Sequence, residues 1–531
     1  MKGKKNNKYS KEILDRLKEL LLQNFNITKA SEIICEEFDI KYTDKVRRAL
    51  SLKLENAGFT DNTKDAELEE SDVFKDAKKK VYDKSKQRFI VSWAQSETEI
   101  NEQFLTNIEA YAKVLDASIH IVAGRYKNPT SLSSNKHTKD KEKDLSNTWH
   151  DRVIPYLDAA RHKIHHNLCI LSDVKVQPTA STPLSGFNGL TGFESCIIGH
   201  PRVHLKSLPI LDGYPHKLLL TTGSVTLENY TDTKSGKKGE FHHTLGFVVV
   251  ELDGDIFHVR QVTADEDGSF YDLTFFVDEE GVHNHSGAES IIFGDLHLGE
   301  TNLSVLKTSF DMASKLKCKD IVLHDVFNGH SISHHERNQP FKLLDRENDG
   351  SWSLVRELSQ MVDFFNQYLD YSFIMVRSNH DEFLDRWLND VDWRKANNKS
   401  AYLQLANMLA NDEYGKGIIP LYLKDRCKNV YCLALDESFR INGIECGMHG
   451  HKGTNGSRGG VIQFKNMNTK NITGHTHTPC REDGHSSVGT LTYLRVGYNV
   501  GPSSWMNSNI AIYPNGKHQH IHIINNKFST L

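Results

Sequence analysis

Five short apolar runs in the last half of this chain each end in residues that ligate metals. They are Gly294-Asp295-Leu296-His297, His324-Asp325-Val326-Phe327-Asn328, Ser378-Asn379-His380-Asp381, Met448-His449-Gly450-His451 and Gly474-His475-Thr476-His477. The runs before them are Ser290–Phe293, Ile321–Leu323, Phe373–Val376, Ile444–Met448 and Asn471–Thr473. Short apolar or β-branched runs bounded by Gly, Ser or Asn read as buried strands. Each ligand group therefore sits where a strand leaves its sheet, and in open α/β sheets that carboxyl edge is where sites are built. The spacing predicts five strand ends converging on one site.

The residue types suit hard or borderline ions. Carboxylate, amide oxygen and imidazole fit Mn, Fe or Zn, and no thiolate is in the set. One carboxylate can bridge two ions about 3.5–4 Å apart, the spacing of two-metal hydrolases. Such a pair supplies an activated water and stabilises charge on a phosphoryl group under attack. The chain holds 28 His, so single matches are cheap. An ordered set of five, each after a strand, is not.

These segments resemble the calcineurin-like metallophosphoesterases, whose pattern runs D-x-H, G-D, G-N-H-D/E, H and G-H-x-H in that order. The resemblance covers roughly Ser290 to the C-terminus. It implies a β-sandwich flanked by helices and two divalent ions, Mn before Mg, Fe or Zn. By that resemblance Asp295, His297, Asp325 and His477 hold the first ion. Asp325, Asn379, His449 and His475 hold the second, with Asp325 as the bridge. His380 is then the catalytic histidine, acting on the leaving oxygen, and Asp381 orients its loop.

The sequence departs from the family at several points. His324 and Ser378 stand where the family has Gly. Asn328 replaces a residue that is often Asp in phosphatases and His in repair nucleases; Asn can hydrogen-bond His380 without holding a charge against it. Asn328-Gly329-His330 also lacks the Asp-Arg-Gly run of the protein phosphatases. Asp325-Val326-Phe327 is instead similar to the Asp-Leu-Phe of the SbcD-type DNA repair nucleases. The overall layout resembles the pre-early host-DNA-degrading proteins of T-five-type phages. That resemblance implies a Mn-dependent DNase in the infected bacterial cytoplasm.

At 531 residues the chain is long enough for two to four domains, since single cores rarely exceed about 250–300 residues. The fold class expected is α/β, in four parts: a helical, helix-turn-helix-like module at 1–60, a charged linker at 61–86, an α/β domain with antiparallel strands at 87–285, and the metallophosphoesterase domain at 286–531. The eight Cys form no Cys-x-x-Cys pair and read as reduced thiols. The basic start is followed by no apolar stretch, so no signal peptide is expected. No run of about 18 apolar residues occurs, so no membrane span is expected.

Net charge is −4, which is not the footprint of a DNA-coating protein. DNA as substrate then needs local basic patches. Residues 1–60 carry thirteen Lys or Arg against nine Asp or Glu. Ile13, Leu17, Leu20 and Leu21 mark a first helix, Ala30, Ile33 and Ile34 a second after Asn26, and Val46, Leu50 and Leu54 a third capped by Thr43. Lys45, Arg47 and Arg48 on that third helix are candidate DNA contacts. The alternative is a bundle for self-association with a solvated basic face, and a homo-oligomer is among the expected states.

Between 87 and 285, Phe89–Ser92, the Phe104–Leu115 helix face and Ser118–Val122 read as a β-α-β unit. Gly186–Gly192 is Gly-rich but lacks the Lys-Ser/Thr of a P-loop. Thr231–Gly239 reads as a basic loop whose Lys234, Lys237 and Lys238 are either DNA-backbone contacts or a solvated hairpin. The lysines at 78–80 read as a solvated helical face before a phosphate contact, the mixed-charge run at 133–146 as a mobile loop, and Gly329–Lys342, with His330, His334, His335, Glu336 and Arg337, as an insertion that shapes or gates the substrate groove or else lies on the surface. His518, His520 and His522 alternate along an edge strand. Two other functions stay open: a phosphatase or cyclic-nucleotide phosphodiesterase for a small substrate, and a DNA-binding scaffold with a vestigial site.

Overall fold

The computed structural model describes residues 11–22, 27–56, 71–126, 148–285, 287–333, 336, 339–411, 415–497 and 499–531. The expected cap at Asn26, the 133–146 run, and His334, His335 and Arg337 lie outside these. The described residues up to Asn56 form one compact unit and those from Asp72 onward another.

The first unit is three helices, Lys11–Leu22, Ile27–Glu37 and Asp44–Asn56, each packed on the other two. Ile13, Leu17 and Leu20 recur at helical spacing and meet Ala30, Ile34, Leu50 and Leu54 in a small core. The break after the second helix is made by Asp39 in the left-handed conformation, and Thr43 Oγ1 accepts from Val46 N at 3.3 Å to start the third. Lys45 and Arg48 are exposed, and Arg47 is half-buried.

The second unit is a mixed α/β body. Part of the expected linker belongs to it: Asp72–Ala77 is a helix that buries Phe74 and Ala77, with the Phe74 ring stacked 5.7 Å from Trp149. The lysines at 78–80 lie just past this helix instead of on a helical face, and Lys80 Nζ donates to Pro155 O.

A six-stranded sheet orders Val430–Cys432, Ser372–Met375, Asp320–Leu323, Ser290–Ile292, Ser508–Ile512 and His518–His522. The first four are parallel, the last two antiparallel. Side chains alternate across it. Ile292, Val322, Ile510 and Ile512 face inward onto Ile444, Ile472 and Val488 of a second sheet. Ile291, Ile321, Leu323 and Phe373 face outward onto the helices Leu303–Lys315 and Leu354–Gln367. The first of these helices is capped by Asn302, whose Oδ1 accepts from Ser304 N and Val305 N. Each fully buried Ile or Phe contributes about 1.5–3 kcal/mol to such a core.

The second sheet has ten strands, five drawn from residues 161–221 and five from residues 440–487. Its order is Arg440–Ile441, Ile444–Glu445, Asn471–Thr473, His485–Ser487, Cys480–Glu482, Leu205–Leu208, Lys217–Thr221, Ser195–Ile198, Leu168–Leu171 and Arg161–His165. Its second five strands pack on a five-stranded sheet, Ile256–Thr263, Gly246–Asp253, Arg88–Gln95, Ala117–Gly124 and Leu157–Asp158, through Phe89, Val91, Val248, Ile170, Ile197 and Leu218. The β-α-β unit is present, with helix Glu102–Leu115 between parallel strands.

Two local expectations differ. Thr231–Gly239 is not a hairpin loop: Lys234–Phe241 is a helix, capped by Thr233 Oγ1 accepting from Gly236 N at 3.1 Å. His518–His522 does lie at the edge of its sheet, yet His520 and His522 are buried, because the strand packs against Ile256–Thr263. All eight cysteines are free. Among the described residues no helix is long and apolar enough to cross a membrane.

Candidate metal centre

The parallel strands Ser290–Ile292, Asp320–Leu323 and Ser372–Met375 release the chain at one edge of the sandwich. There Asp295 and His297, Asp325, and Asn379 with His380 follow them. From the facing sheet, Ile444–Glu445 leads to His449, and Asn471–Thr473 leads to His475 and His477. The structure brings all seven expected ligands together.

Asp295, His297, Asp325 and His477 present ligand atoms within 4.8 Å of one another, and so do Asp325, His449 and His475. Asp325 belongs to both groups. Its Oδ2 lies 3.4 Å from His297 Nε2 and 3.1 Å from His449 Nε2. His477 Nε2 lies 3.1 Å from Asp295 Oδ2 and 3.0 Å from His297 Nε2. Asn379 Oδ1 stands 3.1 Å from His449 Nε2, completing the second group. Two buried imidazole nitrogens at 3.0 Å repel unless a proton or a cation lies between them.

Backbone strain concentrates here. His297, Asp325, His475 and His477 all have φ between 43° and 70°. A left-handed conformation costs a non-glycine residue about 1–2 kcal/mol, and such residues cluster where a site over-determines them. Gly474 is required for a different reason. A Cβ there would stand 2.3 Å from Asp295 Oδ1.

The electrostatics set neutral imidazoles beside a charged carboxylate. Burial pushes His297 down to about 3 and His475 to about 4, so both are neutral, the form in which imidazole ligates. Burial also opposes charge on Asp325, yet the surrounding histidines, His449 first, hold it well below the carboxylate range. His449 is the counterpart: burial works against its proton, and Asp325 nonetheless holds it up at about 9. Asp295 Oδ1 and Asp325 Oδ1 are buried with no hydrogen-bond partner. A buried carboxylate oxygen without a donor is costly, and a divalent ion satisfies it. The donor set fits divalent ions of the Mn, Fe or Zn type.

His380 stands beside the first group, its ring centroid 4.7 Å from that of His297. His380 Nδ1 donates to the backbone carbonyl of Asn328 at 2.5 Å, which leaves Nε2 as the free nitrogen. The expected side-chain bond from Asn328 to His380 is replaced: Asn328 Oδ1 stands 3.3 Å from His297 Nδ1. Asn328 thus steadies a ligand with its side chain and His380 with its backbone. Asp381 works as a helix cap. Its Oδ2 accepts from Ser378 N at 2.9 Å, and Ser378 Oγ accepts in return, a capping box for Asn379–Asp390. Burial pushes Asp381 up to about 7.

Three further residues bear on the site. His324, fully buried, stands 3.4 Å from His449 across their Nδ1 atoms. The Trp505 ring packs edge-on 4.1 Å from His477. His451 Nε2 lies 3.6 Å from Glu382. His324 and His451 were visible in the ligand segments without an assigned partner; nothing in sequence marks Trp505. Of the candidate DNA contacts, Lys45, Arg47 and Arg48 lie in the helical unit. Lys234, Lys237 and Lys238 lie on the capped helix, where Lys237 pairs with Glu240 at 2.9 Å.

Buried His and Asp groups able to hold metal fit a metal-dependent enzyme. No protein-family model matches the chain. Vps29 of Chaetomium thermophilum, solved with a cyclic peptide, is 12% identical over 38% of this chain and 97% of its own, at a TM-score of 0.20, too low to speak for a shared fold. Protein A1 of Escherichia phage T5 is 31% identical over 558 aligned positions, spanning 97% of this chain and 94% of that protein. The chain therefore belongs to the family of phage T5 Protein A1.

Proposed function

We propose that this chain is a two-metal phosphodiesterase of the calcineurin-like kind that hydrolyses DNA, with Mn as the preferred ion. The observation that carries the reading is Asp325, shared by two ligand groups and flanked by His380. Ions held there supply Lewis acidity toward a phosphoryl oxygen and an activated water. Asp295, His297 and His477 on one side, and Asn379, His449 and His475 on the other, fix their positions. His380, oriented through Nδ1, turns Nε2 to the leaving oxygen and donates a hydrogen bond or proton there. Asp381 fixes the start of the helix that carries Asn379 and His380.

DNA as substrate is supported by the SbcD-like Asp325-Val326-Phe327 string, by the basic third helix, and by kinship with a phage protein. Degradation of host DNA in the infected cytoplasm is the role that fits. The test is cleavage of supercoiled, linear and single-stranded DNA with Mn, Mg, Zn or chelator, with His380→Ala alongside. Metal-dependent cutting lost in the variant is expected. Turnover of a small phosphate ester with no cutting of DNA would move the chain to the small-substrate class.

A further inference from the structure

The two halves of the sandwich body repeat each other in strand order and direction, except for the added edge strand Val430–Cys432. In the six-stranded sheet, the order from the C-terminal edge is antiparallel hairpin, then Ser290–Ile292, then Asp320–Leu323 parallel to it, then Ser372–Met375 parallel again. In the five-stranded sheet the hairpin Gly246–Thr263 is followed by Arg88–Gln95, Ala117–Gly124 and Leu157–Asp158 in the same directions. The ten-stranded sheet is a palindrome. From either end the pairings run antiparallel, parallel, parallel, antiparallel, and the two series meet at Leu205–Leu208 against Cys480–Glu482.

Local chemistry repeats as well. Gly199-His200-Pro201-Arg202 follows one strand where Gly474-His475-Thr476-His477 follows its counterpart. Gly223-Ser224-Val225-Thr226 matches Gly489-Thr490-Leu491-Thr492: the first hydroxyl bonds the second at 2.8 and 2.9 Å, and accepts from the same backbone N–H. Val225 N donates to Trp93 O and Leu491 N to Asp295 O, while Val225 O and Leu491 O accept from Asn101 N and Asn302 N, both helix caps. The offset that carries Gly199 onto Gly474 carries Leu205 onto Cys480 and Lys206 onto Arg481. The observed pairs, Leu205 with Arg481 and Lys206 with Cys480, exchange under it, as a two-fold axis requires.

We infer that residues 88–263 are a second copy of the metal-bearing fold whose equivalent ion site has been closed, so that one chain is a tethered pseudo-dimer; a separate buried group in that half, His120, Asp158 and His162, also brings its ligand atoms within 4.8 Å of one another. Trp93 stands where the live half has Asp295. A Cβ on Gly124 would stand 2.2 Å from its indole and one on Gly199 2.7 Å from it, so the ring fills this space. His200, the counterpart of His475, is spent on backbone: Nε2 donates to Gln177 O at 3.1 Å and Nδ1 accepts from Arg202 N at 3.0 Å. Arg202, the counterpart of His477, crosses to the live half and pairs with Asp483 at 2.9 Å. Val122, paired with Trp93, stands where Asp325 would be, and Ala123, Gly124, Arg125 and Tyr126 after it carry no carboxylate.

The inference on ion number rests on the proposed two-metal reading; the inference on duplication does not. An experimental structure of the full chain tests the duplication. Superposing 88–263 on 290–522 is expected to lay Gly199-His200 on Gly474-His475 and the Trp93 ring on the Asp295 carboxylate. A different strand order or register would overturn it. Metal counting by equilibrium dialysis with Mn tests closure, with two ions per wild-type chain and none in Asp325→Ala/His449→Ala expected. Ions that persist in that variant and vanish when His120 or His162 is also changed would show an open site in residues 88–263 and overturn closure. A wild-type chain without ions would refute the proposed function while the superposition still decides the duplication.

Discussion

The halves on either side of the Leu205–Leu208 and Cys480–Glu482 junction share a topology and differ in what fills the end of the sandwich. In one, Asp295, Asp325 and four histidines leave carboxylate oxygens without donors. In the other, Trp93 occupies the space, His200 is hydrogen-bonded through both ring nitrogens, and Arg202 pairs with Asp483. The difference teaches that the scaffold does not need the ions. The same strands close around an indole, so the fold itself does not call for the carboxylate oxygens without donors or the left-handed residues of the other half.

Substitutions can break this contrast. Asp325→Ala removes the residue common to both ligand groups, and metal-dependent turnover is expected to fall to background in a phosphodiester assay. His380→Ala leaves the ligand set intact. It is expected to lower kcat by roughly 10²–10⁴-fold, the range for a positioned acid–base group, with Mn still bound by dialysis. The mirror experiment is Trp93→Ala in the closed half. It is expected to cost about 3–5 kcal/mol of stability in chemical denaturation while the ion count stays at the wild-type value. Loss of ions at unchanged stability would put Trp93 in the wrong role.

Acid sharpens the contrast further. Glu251 lies in the closed half, buried against Arg260, and accepts from Thr530 N and Oγ1. Burial opposes its charge, but Arg260 and Thr530 hold it down at about 2 from an ordinary 4.5. Its folded value is depressed, so its contribution is complete above about 4.5 and is lost as pH falls toward about 2. At about 1.4 kcal/mol per unit this is about 3 kcal/mol, and a Glu251→Gln chain should show a flatter fall in stability over that window. The smallest effect belongs to the helical unit. Lys45→Ala with Arg48→Ala is expected to change stability by less than about 0.5 kcal/mol. It should weaken duplex DNA binding and reduce its salt dependence; an unchanged salt slope would remove that helix from the DNA interface.

The candidate metal centre was legible because each of its residues sits within a few positions of its own strand, so the order of five short segments marks where they converge. The repeat was not. Its surviving strings, Gly-His-Pro-Arg and Gly-Ser-Val-Thr, are too short to stand out, and the residues that would have matched became Trp93 and Arg202. Register, not residue identity, carries the relationship. Thr231–Gly239 reads as a loop in sequence, although Lys234–Phe241 is a helix, for a related reason. Gly236 and Gly239 are poor helix formers, but a Cβ at Gly236 would stand 1.8 Å from Thr231 O, so close packing selects glycine inside this helix. Asn328 shows a third limit: sequence supplied the right neighbour for His380 and the wrong atom, since a backbone carbonyl leaves no trace in residue type.

The junction strand also sets a timetable for synthesis. Leu205 pairs with Arg481, so its edge stays open until the ribosome has added most of the rest of the chain. An unpaired strand edge is a template for other chains, and a nascent first half meeting a second nascent chain has a matching partner in that chain's own Leu205–Leu208. Slow translation between the halves would favour that intermolecular pairing, and rapid delivery of Cys480–Glu482 would suppress it.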